Sequence, residues 1–143
     1  MRDTATCNPA IGNMKEFKQI KDKLYYDDGT YIRDVVIESC TDSDYEKLFN
    51  YLDTIGISLK RLDADESEVS FYFMLGLCKV IVRPQSLDMD IDAREFQTIE
   101  DHNRLIQFLV GLSKSLNKNI SLNPELNTEY SILRINADRI EWS

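Results

Sequence analysis

The stretch that decides the fold runs from Val69 to Pro84 and reads Val-Ser-Phe-Tyr-Phe-Met-Leu-Gly-Leu-Cys-Lys-Val-Ile-Val-Arg-Pro. It is the most apolar part of the chain, and its β-branched and aromatic residues favour strands in the middle of a sheet. Gly76 interrupts it, which indicates either a turn between two strands or a bulge within one long strand. We favour a hairpin that pairs Val69–Leu75 with Leu77–Arg83.

Further strands are predicted on both sides of this hairpin. The Asp28-Gly29 turn predicts a second hairpin between Leu24 and Glu38, because glycine accepts the positive φ that a tight turn requires. In its second strand, Tyr31, Arg33, Val35 and Ile37 share one face. The other predicted strands are Ile57–Leu62, Ser86–Ile91 and a final pair within Glu129–Trp142, around Asn136-Ala137-Asp138; we expect loops at Asp63–Glu68 and at Asn117–Asn127, which contains Pro124.

Two helices are predicted from apolar residues that recur at spacings of three and four. The first follows capping residues at Thr41-Asp42-Ser43-Asp44 and ends before Gly56, and the second begins after Thr98. Their apolar stripes are Tyr45, Leu48, Phe49, Leu52 and Ile55 in the first helix, and Leu105, Phe108, Leu109, Leu112 and Leu116 in the second.

These elements predict an α+β fold, a mainly antiparallel sheet with two helices packed on one face. Residues 1–13 read as a flexible N-terminal arm and residues 14–143 as a single α+β domain. Two helices cover only one side of a sheet, so the second face needs another cover. We expect a second copy in a homodimer or a protein partner there, with loops and the last strand pair as the alternative.

Charge and cysteine content exclude several classes of function. The formal net charge is −8, which opposes binding to nucleic acid and to anionic membrane surfaces. The longest apolar run, Val69–Leu77, is too short to span a membrane. Cys7, Cys40 and Cys78 lack the paired spacing of a disulfide framework or zinc site, so we expect reduced thiols and a cytoplasmic location.

The sharpest candidate site is the acidic alternation within Ser86–Ile91 and just beyond it. Leu87, Met89 and Ile91 are predicted to point inward, with Asp88, Asp90 and Asp92 pointing outward. These aspartates permit three interpretations: a solvated strand face, a partner-binding acidic stripe, or a metal site. Metal binding is disfavoured because a calcium loop needs glycine and glutamate where Ala93 and Ile99 stand. A strand also separates alternate side chains by roughly 7 Å.

Other candidate residues are the single histidine and a set of aromatic residues. His102 stands in the first turn of the second helix, where we expect an exposed side chain rather than a general base. A set of aromatic residues, together with Arg33, could serve either for packing between strands or as a surface for a partner. The aromatic residues are Tyr25, Tyr26, Tyr31, Tyr72 and Trp142. We assign no catalytic, cofactor-binding or metal residues, and we take Asp88, Asp90, Asp92, Tyr31 and Arg33 as candidate partner-binding residues.

One resemblance rests on Tyr26-Asp-Asp-Gly-Thr, Arg33-Asp34-Val35, and Leu122-Asn-Pro124-Glu125 preceding Ile132-Leu133-Arg134. Over residues 24–135 the chain resembles a family of small uncharacterised bacterial proteins, although Asn123 stands where that pattern has threonine. Some similar small acidic proteins are immunity proteins encoded beside secreted polymorphic toxins. The resemblance implies a non-enzymatic module that binds a protein partner, such as a basic toxin domain. The alternative is a small enzyme or metal-binding protein that uses Asp88, Asp90 and Asp92, or His102.

Overall fold

The computed structural model describes residues 17, 21, 30–62, 69–125 and 130–142, and its three longer described ranges contain one sheet and two helices. The elements in chain order are β1 (Ile32–Ile37), α1 (Asp42–Thr54), β2 (Lys60–Leu62), β3 (Ser70–Leu75), β4 (Cys78–Arg83), β5 (Asp88–Asp92), α2 (Ile99–Leu116), β6 (Ile120–Pro124), β7 (Leu133–Asn136) and β8 (Arg139–Trp142). In the described part of the chain these eight strands form the order β2-β3-β4-β5-β1-β6-β7-β8, and every neighbouring pair is antiparallel.

The central hairpin forms as predicted. Leu75 pairs with Cys78 across a turn in which Gly76 has a φ of +65°. Such a φ costs glycine nothing and strains residues with a side chain, which is why the apolar run divides at this residue. The final pair is also present, with β7 and β8 joined at Ala137 and Asp138.

Both helices pack on the same face of the sheet, which confirms the predicted α+β fold. Phe108 of α2 lies 5.3 Å from Phe73 of β3 between ring centroids, and Phe49 of α1 lies 6.3 Å from Phe71. Phe71 and Phe73 alternate on one side of the same strand, so the two helices form one layer. The two helices contact each other as well, because the Tyr51 hydroxyl donates to the Phe108 carbonyl at 3.3 Å.

The helix boundaries follow from the capping residues in the sequence. The Thr41 N–H donates to the Asp44 carboxylate at 2.9 Å, and the Thr98 hydroxyl accepts from the Asp101 N–H at 3.1 Å. Each contact satisfies a backbone or side-chain group that the first helical turn leaves unpaired. Gly56, with a φ of +76°, follows the end of α1 as expected.

The structure corrects three boundary predictions. Residues 120–124 form strand β6 instead of a loop, since Pro124 stands at the last strand position, where its missing N–H costs least. Leu87 adopts a left-handed conformation after a short 3₁₀ turn, so the adjacent strand begins at Asp88 and Leu87 points away from the core with 36% exposed. Only Lys60–Leu62 of the predicted Ile57–Leu62 strand is paired.

Several predictions lie outside the described residues: the arm at residues 1–13, the first strand and turn of the Leu24–Glu38 hairpin, the acidic loop Asp63–Glu68, and Cys7. Cys40 and Cys78 are both free thiols. Burial raises the pKa of the Cys78 thiol to about 12, so this cysteine behaves as a small core residue that donates to the Glu95 carbonyl at 3.1 Å. Within the ranges that the structure describes, neither helix combines the length and the apolar character needed to cross a membrane.

Candidate functional site

The face of the sheet opposite the helices, which we call the open face, carries the candidate site. Paired residues of neighbouring strands lie on the same face, so the register identifies its members. One row of paired residues runs across the open face through Lys60, Tyr72, Ile81, Asp90, Asp34 and Asn123. In the described ranges no helix lies over this row.

Three carboxylates of the open face meet where β1 and β5 pair. Asp34 of β1 lies opposite Asp90 of β5, and the carboxylate oxygens of Asp34, Asp88 and Asp90 lie within 4.8 Å of one another. The prediction that strand spacing of roughly 7 Å keeps neighbouring carboxylates of this strand apart is wrong for Asp88 and Asp90, whose carboxylate oxygens approach within 4.8 Å. The neighbouring strand supplies the third carboxylate, and this cross-strand contribution cannot be read from the spacing along one strand.

Arg83 of β4 bridges two members of this cluster. Its Nη1 donates to the Asp88 carboxylate at 3.1 Å and to the Asp90 carboxylate at 2.8 Å. The register places Arg83 directly opposite Asp88, which explains the contact. Asp90 is buried, with 8% of its surface exposed, so the prediction of a fully solvated strand face is wrong at this position.

Burial raises the pKa of Asp90, because the ionised form loses hydration. The hydrogen bond and the positive charge of Arg83 oppose this effect, while the negative charges of Asp88 and Asp34 add to it. Burial and the two neighbouring carboxylates outweigh the single guanidinium. A further cation or basic side chain beside Asp90 would therefore stabilise its ionised form.

Asp92, at the end of β5, belongs to a separate ion pair. Arg94 Nη2 donates to the Asp92 carboxylate at 2.7 Å, and this hydrogen bond lowers the pKa of Asp92. The same guanidinium lies 4.4 Å from the centroid of the Tyr31 ring, a cation–π contact. Tyr31 is 44% exposed. Asp92, Arg94 and Tyr31 thus form a mixed polar and aromatic surface beside the acidic cluster.

Arg33 does not belong to the exposed surface. It lies opposite Ile91 and faces the helices, where its surface is fully buried. Its Nη1 donates to the Thr30 hydroxyl and to the Ile32 carbonyl, each at 3.1 Å. The alternation that puts Val35 and Ile37 into the core puts Arg33 there too. Arg33 therefore supports the fold in this structure, whereas contact with a partner would require an exposed side chain.

His102 is buried as well, with 1% of its surface exposed, which corrects the expectation of an exposed side chain at the start of α2. Its ring stacks on Trp142 at 5.7 Å between centroids and lies 5.2 Å from Phe17. Burial lowers its pKa to about 4, so the imidazole is neutral at physiological pH. It lies on the helix-covered side, away from the acidic cluster.

The cluster of Asp34, Asp88 and Asp90 is the one group of metal-ligand side chains found in the described residues. Calcium takes six to eight oxygen ligands, and here the guanidinium of Arg83 already holds two of the three carboxylates. The arrangement is therefore better suited to exchange of hydrogen bonds with a basic side chain than to coordination of a metal ion. The residues available for metal binding would be Asp34, Asp88 and Asp90 in place of the predicted Asp88, Asp90 and Asp92.

Comparison with known proteins gives no match: none of the protein-family models, curated proteins or solved structures is significantly similar to this chain.

Proposed function

We propose that this chain is a non-enzymatic protein-binding module whose open face receives a basic partner. The observation that carries this proposal is the approach of the Asp34, Asp88 and Asp90 carboxylates within 4.8 Å, where the pKa of buried Asp90 is raised despite its hydrogen bond from Arg83. A partner lysine or arginine placed there would gain charge-assisted hydrogen bonds with groups already fixed by the sheet. Complementary charges of this kind raise association rates and select partners.

The surroundings of the cluster suit a protein surface. Tyr31 and Met74 are exposed to 44% and 36%, and Tyr72 lies under Lys79, whose Nζ is 4.9 Å from the ring centroid. Tyrosine and arginine side chains such as Tyr31 and Arg94 are enriched at interface hot spots. The partner class we propose is a bacterial toxin domain that this chain neutralises, which follows from the sequence resemblance. A second copy of the chain is the other protein that could occupy this face.

The test is a pair of double substitutions with the same change in net charge. Asp88→Asn with Asp92→Asn removes two charges from the open face, and Glu46→Gln with Asp53→Asn removes two from exposed positions of α1. The partner probe is a basic toxin domain encoded next to the gene for this chain. We expect the open-face pair to weaken binding in calorimetry by about tenfold or more, with the loss shrinking at high salt, and the α1 pair to change it little.

Equal losses of affinity for the two double substitutions would show that binding depends only on the net charge of the protein. Absence of binding at low salt would reject the proposed partner class. Light scattering of the isolated chain tests the second-copy alternative, which requires a dimer at micromolar concentration.

The rival function is a small enzyme or metal-binding protein. The observation that favours it is that the three carboxylate oxygens lie within 4.8 Å of one another. Titration with calcium, magnesium and zinc decides between the two, because micromolar binding lost in Asp34→Asn would support the rival. A hydrolase or transferase activity that disappears in His102→Ala would also overturn the binding-module proposal.

A further inference from the structure

A cavity of about 320 Å³ lies on the open face, at the side formed by β1, β6, β7 and β8. Its size is at the lower end of the range for small-molecule sites, which is roughly 300–1,000 Å³. It is separate from the Asp34, Asp88 and Asp90 cluster, none of whose members lines it.

The floor of the cavity consists of two neighbouring rows of side chains. The first row is Val36, Ser121, Arg134 and Glu141, each directly paired with the next across the sheet. The second is Glu38, Asn119, Asn136 and Arg139, in which the Glu38 N–H donates to the Asn119 carbonyl at 3.0 Å and Asn136 pairs with Arg139. The two rows lie two residues apart along each strand, so all eight side chains face the same side.

Four of these side chains are charged, and none of the four makes an ion pair with any described residue. Arg134 and Glu141 are direct cross-strand neighbours, where opposite charges usually pair. Elsewhere in the described part of the chain, five basic side chains hold carboxylates, those of Arg83, Arg94, Arg104, Lys114 and Lys118, whereas those of Lys47, Lys60, Arg61 and Lys79 hold none. The cavity thus keeps two guanidinium groups available, in a chain of net charge −8.

The charges are distributed unevenly along the cavity. Arg134 and Arg139 occupy β7 and β8, diagonal neighbours roughly 7–8 Å apart, and Glu141 offsets only one of them. Glu38 lies at the far end beside β1, three strand spacings or roughly 14 Å from the backbone of Arg139. Uncharged hydrogen-bonding groups of Ser121, Asn119 and Asn136 lie between the two ends.

We propose that this cavity binds a small zwitterion, such as a short peptide with free ends, with its acidic group on Arg134 and Arg139 and its amino group on Glu38. A simple anion would satisfy the arginines but would meet Glu38, Glu141 and the net negative charge of the protein. A zwitterion can pair with the two arginines at one end and with Glu38 at the other. The negative protein does not repel it at long range, because its net charge is zero. A peptide of three residues spans roughly 10 Å when extended, which matches the distance once the long side chains lean inward.

Triglycine is the probe, titrated into ¹⁵N-labelled protein while backbone amide shifts are followed by NMR. N-acetyltriglycine, which lacks the amino charge, and triglycinamide, which lacks the carboxylate, are the matched controls. We expect saturable shifts around Ser121, Arg134 and Asn136, and an affinity for triglycine about three- to fivefold above that for either control. The wild-type protein alone supplies this result, so the test does not depend on the folding of a variant.

Variants then assign the two ends of the ligand. Glu38→Gln should reduce the affinity for triglycine to that for N-acetyltriglycine, and Arg134→Gln with Arg139→Gln should reduce it to that for triglycinamide. Arg61→Gln, an exposed arginine outside the cavity, should leave all three affinities unchanged. The proposal is overturned by an absence of saturable shifts, by shifts centred elsewhere, or by equal affinities for the three probes. Tightest binding of triglycinamide would also reject it, because that order reflects only attraction to the negative protein.

Discussion

The two faces of the sheet use the same strands in different ways. On β3, Phe73 and Leu75 are buried under the helices at 0% and 5% exposure, while Met74 between them is 36% exposed on the open face. The helix-covered face removes apolar surface from water, whereas the open face buries polar groups against one another, as with Asp90 and Arg83. Burial by itself therefore does not identify a core: Asp90 and Phe73 are both buried, but different forces hold them.

Neighbouring residues of β3 provide the largest test of this difference. Phe73→Ala should lower the free energy of unfolding by about 3–5 kcal/mol, since it removes a fully buried ring that packs on Phe108. Met74→Ala, one position along the same strand, should change it by less than about 0.5 kcal/mol. Urea denaturation of both variants gives the comparison. Similar losses for the two would show that the open face is packed in solution by another element or by a second copy.

A pH profile tests the helix-covered face at His102. Burial holds its pKa at about 4 in the folded chain, against 6.5 for the ordinary side chain. The unfolded chain therefore binds a proton as the pH falls below 6.5 and the folded chain does not, so the free energy of unfolding decreases between pH 6.5 and about 4. The difference of about 2.5 units corresponds to about 3 kcal/mol.

His102→Phe keeps an aromatic ring between Phe17 and Trp142 but cannot titrate. Relative to wild type, this variant should gain stability as the pH falls from 6.5 to 4, because the wild-type loss is specific to the imidazole. Parallel stability profiles for the two proteins would mean that His102 is protonated in the folded state, and hence that the stack opens to water.

Much of the fold could be predicted from local sequence patterns, because those patterns report which residues are covered. Gly76 divides the apolar run where a positive φ is needed, and the apolar stripe from Leu105 to Leu116 faces the sheet as its spacing requires. Strand β6 could not be predicted in the same way. Its Ile-Ser-Leu-Asn-Pro sequence is short and ends in proline, and its strand character depends on pairing with β1 and β7 on both sides.

The candidate site depends on tertiary register, which local patterns do not contain. Asp34 is 56 residues from Asp90 in the chain and joins the acidic cluster only because β1 pairs with β5. Arg83 reaches the same cluster through the pairing of β4 with β5. In contrast, the burial of Arg33 follows from the local pattern, because Arg33 shares a strand face with the apolar residues Val35 and Ile37. That pattern predicts a core position for Arg33 and not a place on the partner surface.

The ion pair between Lys118 and Asp44, on the helix side of the sheet, is more buried than the pair between Arg83 and Asp90 on the open face. Lys118 Nζ lies 2.7 Å from the Asp44 carboxylate, whose side chain is 2% exposed, and 2.7 Å from the Ser39 carbonyl. Burial favours protonation of Asp44, but the hydrogen bonds from Lys118 and Thr41 outweigh it and lower the pKa. Lys118→Met should cost about 2–3 kcal/mol at pH 7, because it leaves this carboxylate buried without its cation.

The loss in Lys118→Met should shrink on acidification. A lowered carboxyl pKa stabilises the fold above the unfolded value of 3.8, and this contribution disappears as the pH falls through the folded pKa. Wild type and variant should therefore converge only well below pH 3.8, as the pH falls through the lowered pKa of Asp44 in the folded wild type. Lys114→Met, which breaks the exposed pair between the last turn of α2 and Asp138, is the matched control and should have little effect at any pH. A constant loss across the pH range would assign the effect of Lys118 to its packing.

The smallest expected effect is on the open face, at Arg83. Its side chain is 31% exposed and that of Asp90 is 12% exposed, so solvent screens part of their attraction. Arg83→Met should cost about 1–2 kcal/mol at pH 7, less than Lys118→Met, because Asp90 loses its cation but remains closer to water than Asp44 does. Arg94→Met, which breaks the exposed pair with Asp92, is the control and should leave stability within measurement error.

The pH dependence of Arg83→Met separates this ion pair from the one on the helix-covered face. The pKa of Asp90 is already raised by burial, so its ionised form destabilises the fold and its protonation on acidification restores stability. Without Arg83 the pKa rises further, and the variant should recover toward wild type at a higher pH than Lys118→Met does. The same substitution frees the carboxylates of Asp88 and Asp90 from the guanidinium of Arg83. Stabilisation of Arg83→Met by calcium in thermal unfolding, without an effect on wild type, would show that Arg83 excludes a metal ion from the cluster. Equal stabilisation of both proteins by calcium would instead show that the open face is a metal site, which contradicts the role of Arg83 proposed for this face.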